Sequence, residues 1–275
     1  MYVHTPARYV WAADHDERGQ SAAARFLSPA LKQLDRRRAS EGPQFAANSE
    51  FIRTRIRSSW NQDATVIYPP VHVEKLQSGG PWRDRLSGED EAILSGLPET
   101  FIFSASRFVA YKRLEAAIQT GEIARIPVVI AGSGPLLAQL TNAAKIASIA
   151  VHIVNRPSDN LLYALYEAAA LFVFPAVEDF GIMPVEAMSL GTPALVTTEG
   201  GASESVGILR GGVVVDFASP SDLARAIEAA IGLDMTHAVQ AARTQFGDLA
   251  FIERLDNWMA ASLSPRPIPA LLPFA

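Results

Sequence analysis

Residues 101–231 predict an α/β fold with a doubly wound parallel sheet, and three observations carry that expectation. Short apolar runs alternate with helical patterns from Phe101 onward. The clearest run, Leu171-Phe172-Val173-Phe174, is uninterrupted and bounded by Pro175, the mark of a parallel strand buried on both faces. Turn residues fall between segments, as in Gly132-Ser133-Gly134-Pro135 and Gly191-Thr192-Pro193. Segments in this order close as right-handed βαβ units.

The composition supports a folded chain and excludes several classes of function. With 275 residues, 49% hydrophobic and 19% charged, the chain can bury one large or two medium domains. A formal net charge of -5, from 24 Lys+Arg against 29 Asp+Glu, argues against nucleic acid as the main partner. Cysteine is absent, which removes disulfides, thiolate metal sites and thiol nucleophiles. The five histidines form no HxxxH or HExxH pair, so no metal site is expected. No apolar span is long enough to cross a membrane and MYVHTPARYV has no signal-peptide pattern, so a cytoplasmic location is expected.

Taken in order, Tyr2-Val3 reads as the end of a buried strand running into His4-Thr5-Pro6, with no earlier strand to neighbour it. Residues 14–41 are polar and Arg-rich, with Phe26, Leu27, Ala30, Leu31 and Leu34 at helical spacing. Asp35-Arg36-Arg37-Arg38 then reads as a solvated helix end, or as a contact for an acidic acceptor or anionic membrane surface. Phe45–Ala47 is a short strand, Asn48-Ser49 an N-cap, and Glu50–Trp60 the helix it starts. Ala64–Tyr68 is a strand closed by Pro69-Pro70, and the Gly, Pro, Ser and charge of Val71–Pro98 read as a linker or crossover between domains.

The regular half follows. Its expected strands are Phe101–Ala105, Pro127–Ala131, Val151–Val154, Leu171–Phe174, Ala194–Thr197 and Val213–Val215. The helices between and after them are Arg113–Thr120, Leu136–Ala147, Asn160–Ala169, Ile182–Leu190 and Ser219–Ile231. Met235–Leu263 is expected to be helical, with Phe246, Phe251, Ile252, Leu255 and Trp258 as its apolar face, and Pro265–Ala275 to be loosely ordered.

The chemistry concentrates after Phe174. Glu178-Asp179-Phe180-Gly181 leads from the carboxyl end of a strand into the helix at Ile182, where open α/β sheets bind ligands and where free N–H groups favour phosphate. Glu178 in the loop and Glu186 in the helix are carboxylates suited to holding hydroxyls of a sugar and a ribose. Arg107 ends a strand and Lys112 opens a helix at the same sheet edge, a pair able to clamp a diphosphate. Gly132-Ser133-Gly134-Pro135 has Leu137 where a dinucleotide fingerprint needs its third glycine, and reads better as a tight turn into a helix. Gly200-Gly201-Ala202-Ser203-Glu204 can bring backbone close to a ligand or simply turn, with Glu204 near a helix start. His4 reads either as structural or as a group beside the ligand. No GxSxG elbow occurs, which argues against the common hydrolase arrangement.

Together, ASRFVAYKRLEAAI, VIAGSGP, FPAVEDFGIMPVEAMSLGTPALV and EGGASESV resemble, in order and spacing, the retaining nucleotide-sugar glycosyltransferases of family 4, with the GT-B fold. Glu178-x7-Glu186 within EDFG…EAM…GTP is the specific signature, and YVHTPARYVW, AANSEFIRTRI and VIYPPV resemble its bacterial mannosyltransferase-like subgroup. The resemblance implies hexose transfer, with mannose and GDP-mannose favoured, to a glycan or lipid-linked acceptor in surface polysaccharide synthesis. It implies no metal or other cofactor, and peripheral contact with the inner face of the cell membrane. Arg107 and Lys112 would neutralise the leaving diphosphate, Glu178 would contact sugar hydroxyls, and His4 would lie beside the transferred sugar. Asp179, Phe180, Gly181 and Ile182 would approach sugar and phosphate, Glu186 would hold the ribose, Val154–Arg156 would meet the base, and Gly132 and Gly134 would line the donor site.

The chain also departs from the pattern. Asn155 stands where the base segment has Gly, His152 replaces an aromatic, and Ala12 replaces the Asp expected after Trp11. A complete GT-B enzyme has a whole N-terminal Rossmann-like domain, whereas residues 1–73 match only its last third. The expected organisation is thus a remnant at 1–73, a donor-binding domain at 74–260 whose last helix returns to the N-terminal part, and a loose tail at 261–275. The alternative is a non-enzymatic nucleotide-sugar-binding remnant or subunit that needs a separate N-terminal-domain partner. A GT-B sugar-phosphate epimerase is disfavoured by the EDFG…EAM signature and Lys112.

Overall fold

A computed structural model describes residues 1–11, 22–42 and 44–263. The first stretch builds a small parallel sheet from β1 (Tyr2–Val3), β2 (Phe45–Ala47) and β3 (Ala64–Val66), in the order β1-β2-β3. Between its strands lie α1 (Arg8–Trp11), α2 (Ala22–Ser40) and α3 (Glu50–Trp60). Ser49 caps α3, its hydroxyl accepting from the Ile52 N–H at 3.0 Å, and Asn61 closes the helix in the left-handed conformation at φ 55°. Val3, Phe45, Ala47, Ile52, Ile56, Trp60 and Ala64 form the core of this unit.

The remainder opens with α4 (Val73–Gln77), a 3-10 turn at Trp82–Arg85 and α5 (Glu89–Ser95). Of the linker or crossover expected over Val71–Pro98, the irregular linker is therefore corrected. Glycine and proline do break this stretch, but Val71, Val73, Leu76, Trp82 and Leu94 are buried in the main core, and that apolar burial folds the pieces between the breaks.

Then come β4 (Ile102–Arg107), α6 (Glu115–Ala124), β5 (Val128–Ser133), α7 (Leu137–Ile146), β6 (Val151–Asn155) and α8 (Asp159–Ala168). β7 (Leu171–Phe174), α9 (Ile182–Ser189), β8 (Ala194–Thr197), α10 (Ala202–Leu209), β9 (Gly212–Val215) and α11 (Pro220–Ile231) complete the alternation. The tail forms two helices, α12 (Thr236–Phe246) and α13 (Asp248–Leu263), parted at Gly247. On the expected apolar face Phe246 is buried, but Ile252 is 50% exposed. The expectation of a loose tail from Pro265 onward lies outside the described residues.

β4 to β9 form one parallel sheet in the order β6-β5-β4-β7-β8-β9, the doubly wound order that reverses between β4 and β7. Alternate side chains divide into two cores. Phe103, Val129, Phe172 and Val196 pack with α8, α9 and α10, whereas Ile102, Ile130, Val173 and Leu195 pack on the opposite face with α6 and α11. Such two-sided burial explains why these strands read as continuous apolar runs.

The solvated helix end expected at Asp35–Arg38 is corrected in part. Asp35 Oδ2 accepts from the indole N–H groups of Trp11 and Trp60 at 2.6 and 2.7 Å, and the Arg36 side chain donates to the Ser59 carbonyl at 2.7 Å. Two buried-edge indoles need an acceptor, and Asp35 supplies one for both. Arg37 and Arg38 do stand in solvent, as do Leu27, Leu31 and Leu34 along α2.

Candidate active site

The site begins where two strands part. β4 pairs with β5 over six registered positions, but with β7 only at Ile102↔Leu171 and Phe103↔Phe172. Beyond these the strands separate, and the buried Ser104 hydroxyl donates to the Val173 carbonyl at 2.8 Å. The carboxyl ends of β4 and β7 therefore flank a crevice at the reversal of strand order, the position at which such sheets hold ligands.

Cations approach from the β4 side. Arg107 closes the strand and donates to the Tyr111 hydroxyl at 2.6 Å. A 3-10 turn at Ala110–Lys112 places Lys112 over the Tyr111 ring at 5.1 Å and the Phe174 ring at 6.0 Å, with only 9% of the residue exposed. Its ammonium is paired with Glu178 from the β7 side. A buried ammonium with an anionic partner suits a second anion as well, because its burial carries a desolvation penalty that a further partner relieves.

Gly132 and Gly134 lie behind these groups at the end of β5, with φ 142° and 155°. A Cβ on Gly134 would stand 2.6 Å from the Phe108 carbonyl oxygen, so this glycine permits the β5 turn to lie against the backbone that follows Arg107. At the outer strand β6, Arg156 sits in the left-handed region at φ 54° and its N–H donates to the Gly132 carbonyl at 2.9 Å.

Residues 178–182 then enter α9, whose amino terminus has Gly181 at φ 93° and no side-chain cap. Within this loop the Phe180 ring is core, tilted against Tyr68 and Phe246 at 5.7 and 5.5 Å. The Asp179 carboxylate pairs with Arg55 at 3.6 Å and its carbonyl accepts from the Ser49 hydroxyl at 2.5 Å. Ile182 is exposed at the helix start.

Glu186 lies one turn further along α9 and accepts from the Tyr166 hydroxyl at 3.2 Å. Burial pushes its carboxyl above the usual range; Asp159 adds to that, while the Tyr166 hydrogen bond, His72 and Lys75 oppose it. Burial also pushes the Tyr166 phenol well up. A carboxylate that accepts from one hydroxyl keeps acceptor sites for others.

His4 directly follows β1, whose Val3 carbonyl accepts from the Asn48 N–H at 3.3 Å. It is exposed at the carboxyl edge of the small sheet, the edge whose Ser49 reaches Asp179. The structure thus gathers Arg107, Lys112, Gly132, Gly134, Glu178–Ile182 and Glu186 on one sheet edge and sets His4 on the facing edge. Ala12 lies outside the described residues.

Ser49, Arg55 and Tyr166 were not singled out as site residues by sequence. Ser49 is visible only as a helix cap, and a buried Tyr in a helix carries no local signal of its distant partner.

An open parallel sheet with Lys112, two carboxylates and an uncapped helix start at its switch point is an α/β arrangement of the kind at which phosphate groups bind. Residues 89–245 match the family Glycosyl transferases group 1, and the chain belongs to it. The chain is 30% identical over 167 residues to the D-rhamnosyltransferase WbpZ of Pseudomonas aeruginosa, covering 58% of this chain and 40% of that protein. It is 26% identical over 294 residues to a D-inositol 3-phosphate glycosyltransferase of Nocardiopsis dassonvillei, covering 97% and 66%. It therefore spans between two fifths and about two thirds of the length of these curated relatives.

Among solved structures, Anabaena Alr3699/HepE superposes with TM-score 0.74 at 17% identity, covering 94% of this chain and 71% of that one. WaaG, a glycosyltransferase involved in lipopolysaccharide biosynthesis, superposes with TM-score 0.69 at 15% identity, covering 94% and 73%. The fold is the α/β fold of GT-B-like glycosyltransferases. No helix among the described residues is long and apolar enough to cross a membrane.

Proposed function

We propose that this chain carries the donor site of a retaining nucleotide-sugar glycosyltransferase that moves a hexose, mannose in the favoured case, to a glycan or lipid-linked acceptor. One observation carries the proposal: the Lys112–Glu178 pair spans the crevice between β4 and β7, joining a phosphate-seeking cation to a hydroxyl-seeking acid. HepE is known in complex with UDP and with UDP-glucose, and WbpZ and WaaG are named for sugar transfer and lipopolysaccharide synthesis, which supports a nucleotide-sugar donor and a surface glycan.

Arg107 and Lys112 take the diphosphate, and the uncapped start of α9 adds N–H dipoles toward it. Lys112 leaves Glu178 for phosphate, so Glu178 becomes free to accept from sugar hydroxyls. Glu186 accepts from the ribose, and Arg156 borders the base. As the glycosidic C–O bond breaks, the electron pair moves to the diphosphate, where fixed cations stabilise it, while an acceptor hydroxyl oxygen bonds the anomeric carbon and its proton passes to the leaving diphosphate. His4 stands on the opposite edge, where the anomeric carbon and acceptor would meet.

Calorimetric titration with GDP, UDP and GDP-mannose tests this on the native chain, Lys112→Ala and Glu186→Ala. One diphosphate binds the native chain and binds both variants at least about tenfold more weakly, the loss of one charge-assisted contact. A folded native chain that takes neither diphosphate overturns the proposal.

A further inference from the structure

The amino terminus of α3 is joined to the donor side of the large sheet by contacts that the transfer chemistry does not use. Both oxygens of Glu204, on α10, accept from α3: the Glu50 N–H at 2.8 Å and the Phe51 N–H at 2.7 Å. The third open N–H, of Ile52, goes to Ser49, and the Ser49 hydroxyl donates in turn to the Asp179 carbonyl. Arg55, one turn along α3, pairs with the Asp179 carboxylate. A helix start is thus saturated by groups 154, 153 and 3 residues away, and its own cap grips the loop.

The segment carrying Glu204 also touches that loop directly. The Gly201 N–H donates to the Glu178 carbonyl at 2.8 Å. A Cβ on Gly201 would stand 2.6 Å from the Phe180 Cα, so no other residue fits this approach. Tyr68 completes the frame, its hydroxyl beside Glu204 and its ring on Phe180.

From this geometry we infer that Glu204 is a positioning residue: it draws α3 onto the carboxyl edge of the large sheet, and so sets the backbone of residues 178–181. It does not touch substrate. It acts by clamping the loop between α3 on one side and Gly200-Gly201 on the other. The functional weight of the inference rests on residues 178–181 being the donor loop, as proposed above.

Amide hydrogen exchange on the full ligand-free chain tests it, comparing native protein with Glu204→Gln and Glu204→Ala. Gln retains one acceptor oxygen but turns an N–H2 toward the second backbone donor, which gives a milder variant if Ala unfolds the chain. The Gly201 amide and the peptide covering 178–183 exchange about tenfold faster in the Gln variant, as expected for one lost charge-assisted hydrogen bond, while β4 and β5 amides keep native rates. Faster exchange confined to Glu50 and Phe51 overturns the inference and leaves Glu204 as a helix cap. Calorimetry with GDP and UDP on the same variants separates the two claims. Faster loop exchange with weakened diphosphate binding supports both. Faster loop exchange with native binding, or a native chain that binds neither, overturns the donor reading of the loop but leaves the positioning by Glu204 standing.

Discussion

Two helix starts in this molecule are treated in opposite ways. α3 begins with every early N–H engaged, two by Glu204 and one by Ser49. α9 begins at Gly181, with no side chain capping it, directly beside the Lys112–Glu178 pair. An open helix start is costly when no partner serves its N–H groups, because each seeks an acceptor. A saturated start is a joint; an open one at a sheet switch point, beside the Lys112–Glu178 pair, is in our proposal the seat for an anion. The contrast separates the contacts that hold the two sheets together from those the proposed function assigns to ligand.

The largest effect is expected at the open end. Lys112→Ala weakens diphosphate binding about 10- to 100-fold, since it removes a charged donor and strands Glu178. Glu178→Gln acts in the opposite sense on the bare diphosphate, tightening GDP or UDP a few-fold because Lys112 no longer has a competing partner. Calorimetry reads both, and equal weakening by the two variants would erase the assignment of opposite roles.

At the closed end, Ser49→Ala removes a cap and the hydroxyl that donates to the Asp179 carbonyl. It costs about 2 kcal/mol, or roughly 4–8 °C in Tm by differential scanning calorimetry. A drop under 1 °C would mean that the joint carries little of the stability.

Glu186→Gln is expected to stabilise the chain while weakening diphosphate binding, because burial opposes the charge on Glu186. Its carboxyl is raised in the folded chain, so stability from the protonated form is complete below the ordinary carboxyl range and is lost as pH rises through the raised value. The amide stays neutral throughout. Its gain of about 1 kcal/mol, roughly 2–4 °C in Tm, is therefore present near pH 7.5 and shrinks toward zero near pH 4. A gain independent of pH would point to packing and not to charge.

The smallest effect is expected on the solvent face of α3. Arg53 pairs with Asp63 and Glu50 in the open, and Arg53→Ala shifts stability by under about 1 kcal/mol with no change in diphosphate affinity. Loss of binding in this variant would show that α3 works through more than its amino terminus.

Where sequence reading was accurate, the reason was local. Glu50–Trp60 and Ala194–Thr197 have the bounds that cap chemistry and apolar runs indicate, and Gly191 with φ 92° ends α9 as its place before Pro193 suggests. Where it was not, distant packing decided. Val71–Pro98 has the punctuation of a linker, yet Trp82 and Leu94 find a core built mostly by strands beyond residue 101. Asp35 looks like surface charge in a basic run until Trp11 and Trp60 converge on it. Met235–Leu263 reads as one helix, and the break at Gly247 coincides with a close approach to Glu74.

The sequence alone determined the α/β alternation, the strand-loop-helix around Glu178 and Glu186, and the cations that follow β4. These follow from short-range rules of periodicity, turn chemistry and motif spacing. Only the tertiary structure decided that β4 and β7 part to open a crevice, that Lys112 spends its charge on Glu178, and that Ser49 and Glu204 tie the two sheets together. Those partners lie 66, 130 and 154 residues apart in the chain, and which donor meets which acceptor at such separations is set by how the sheets pack, which no local pattern encodes.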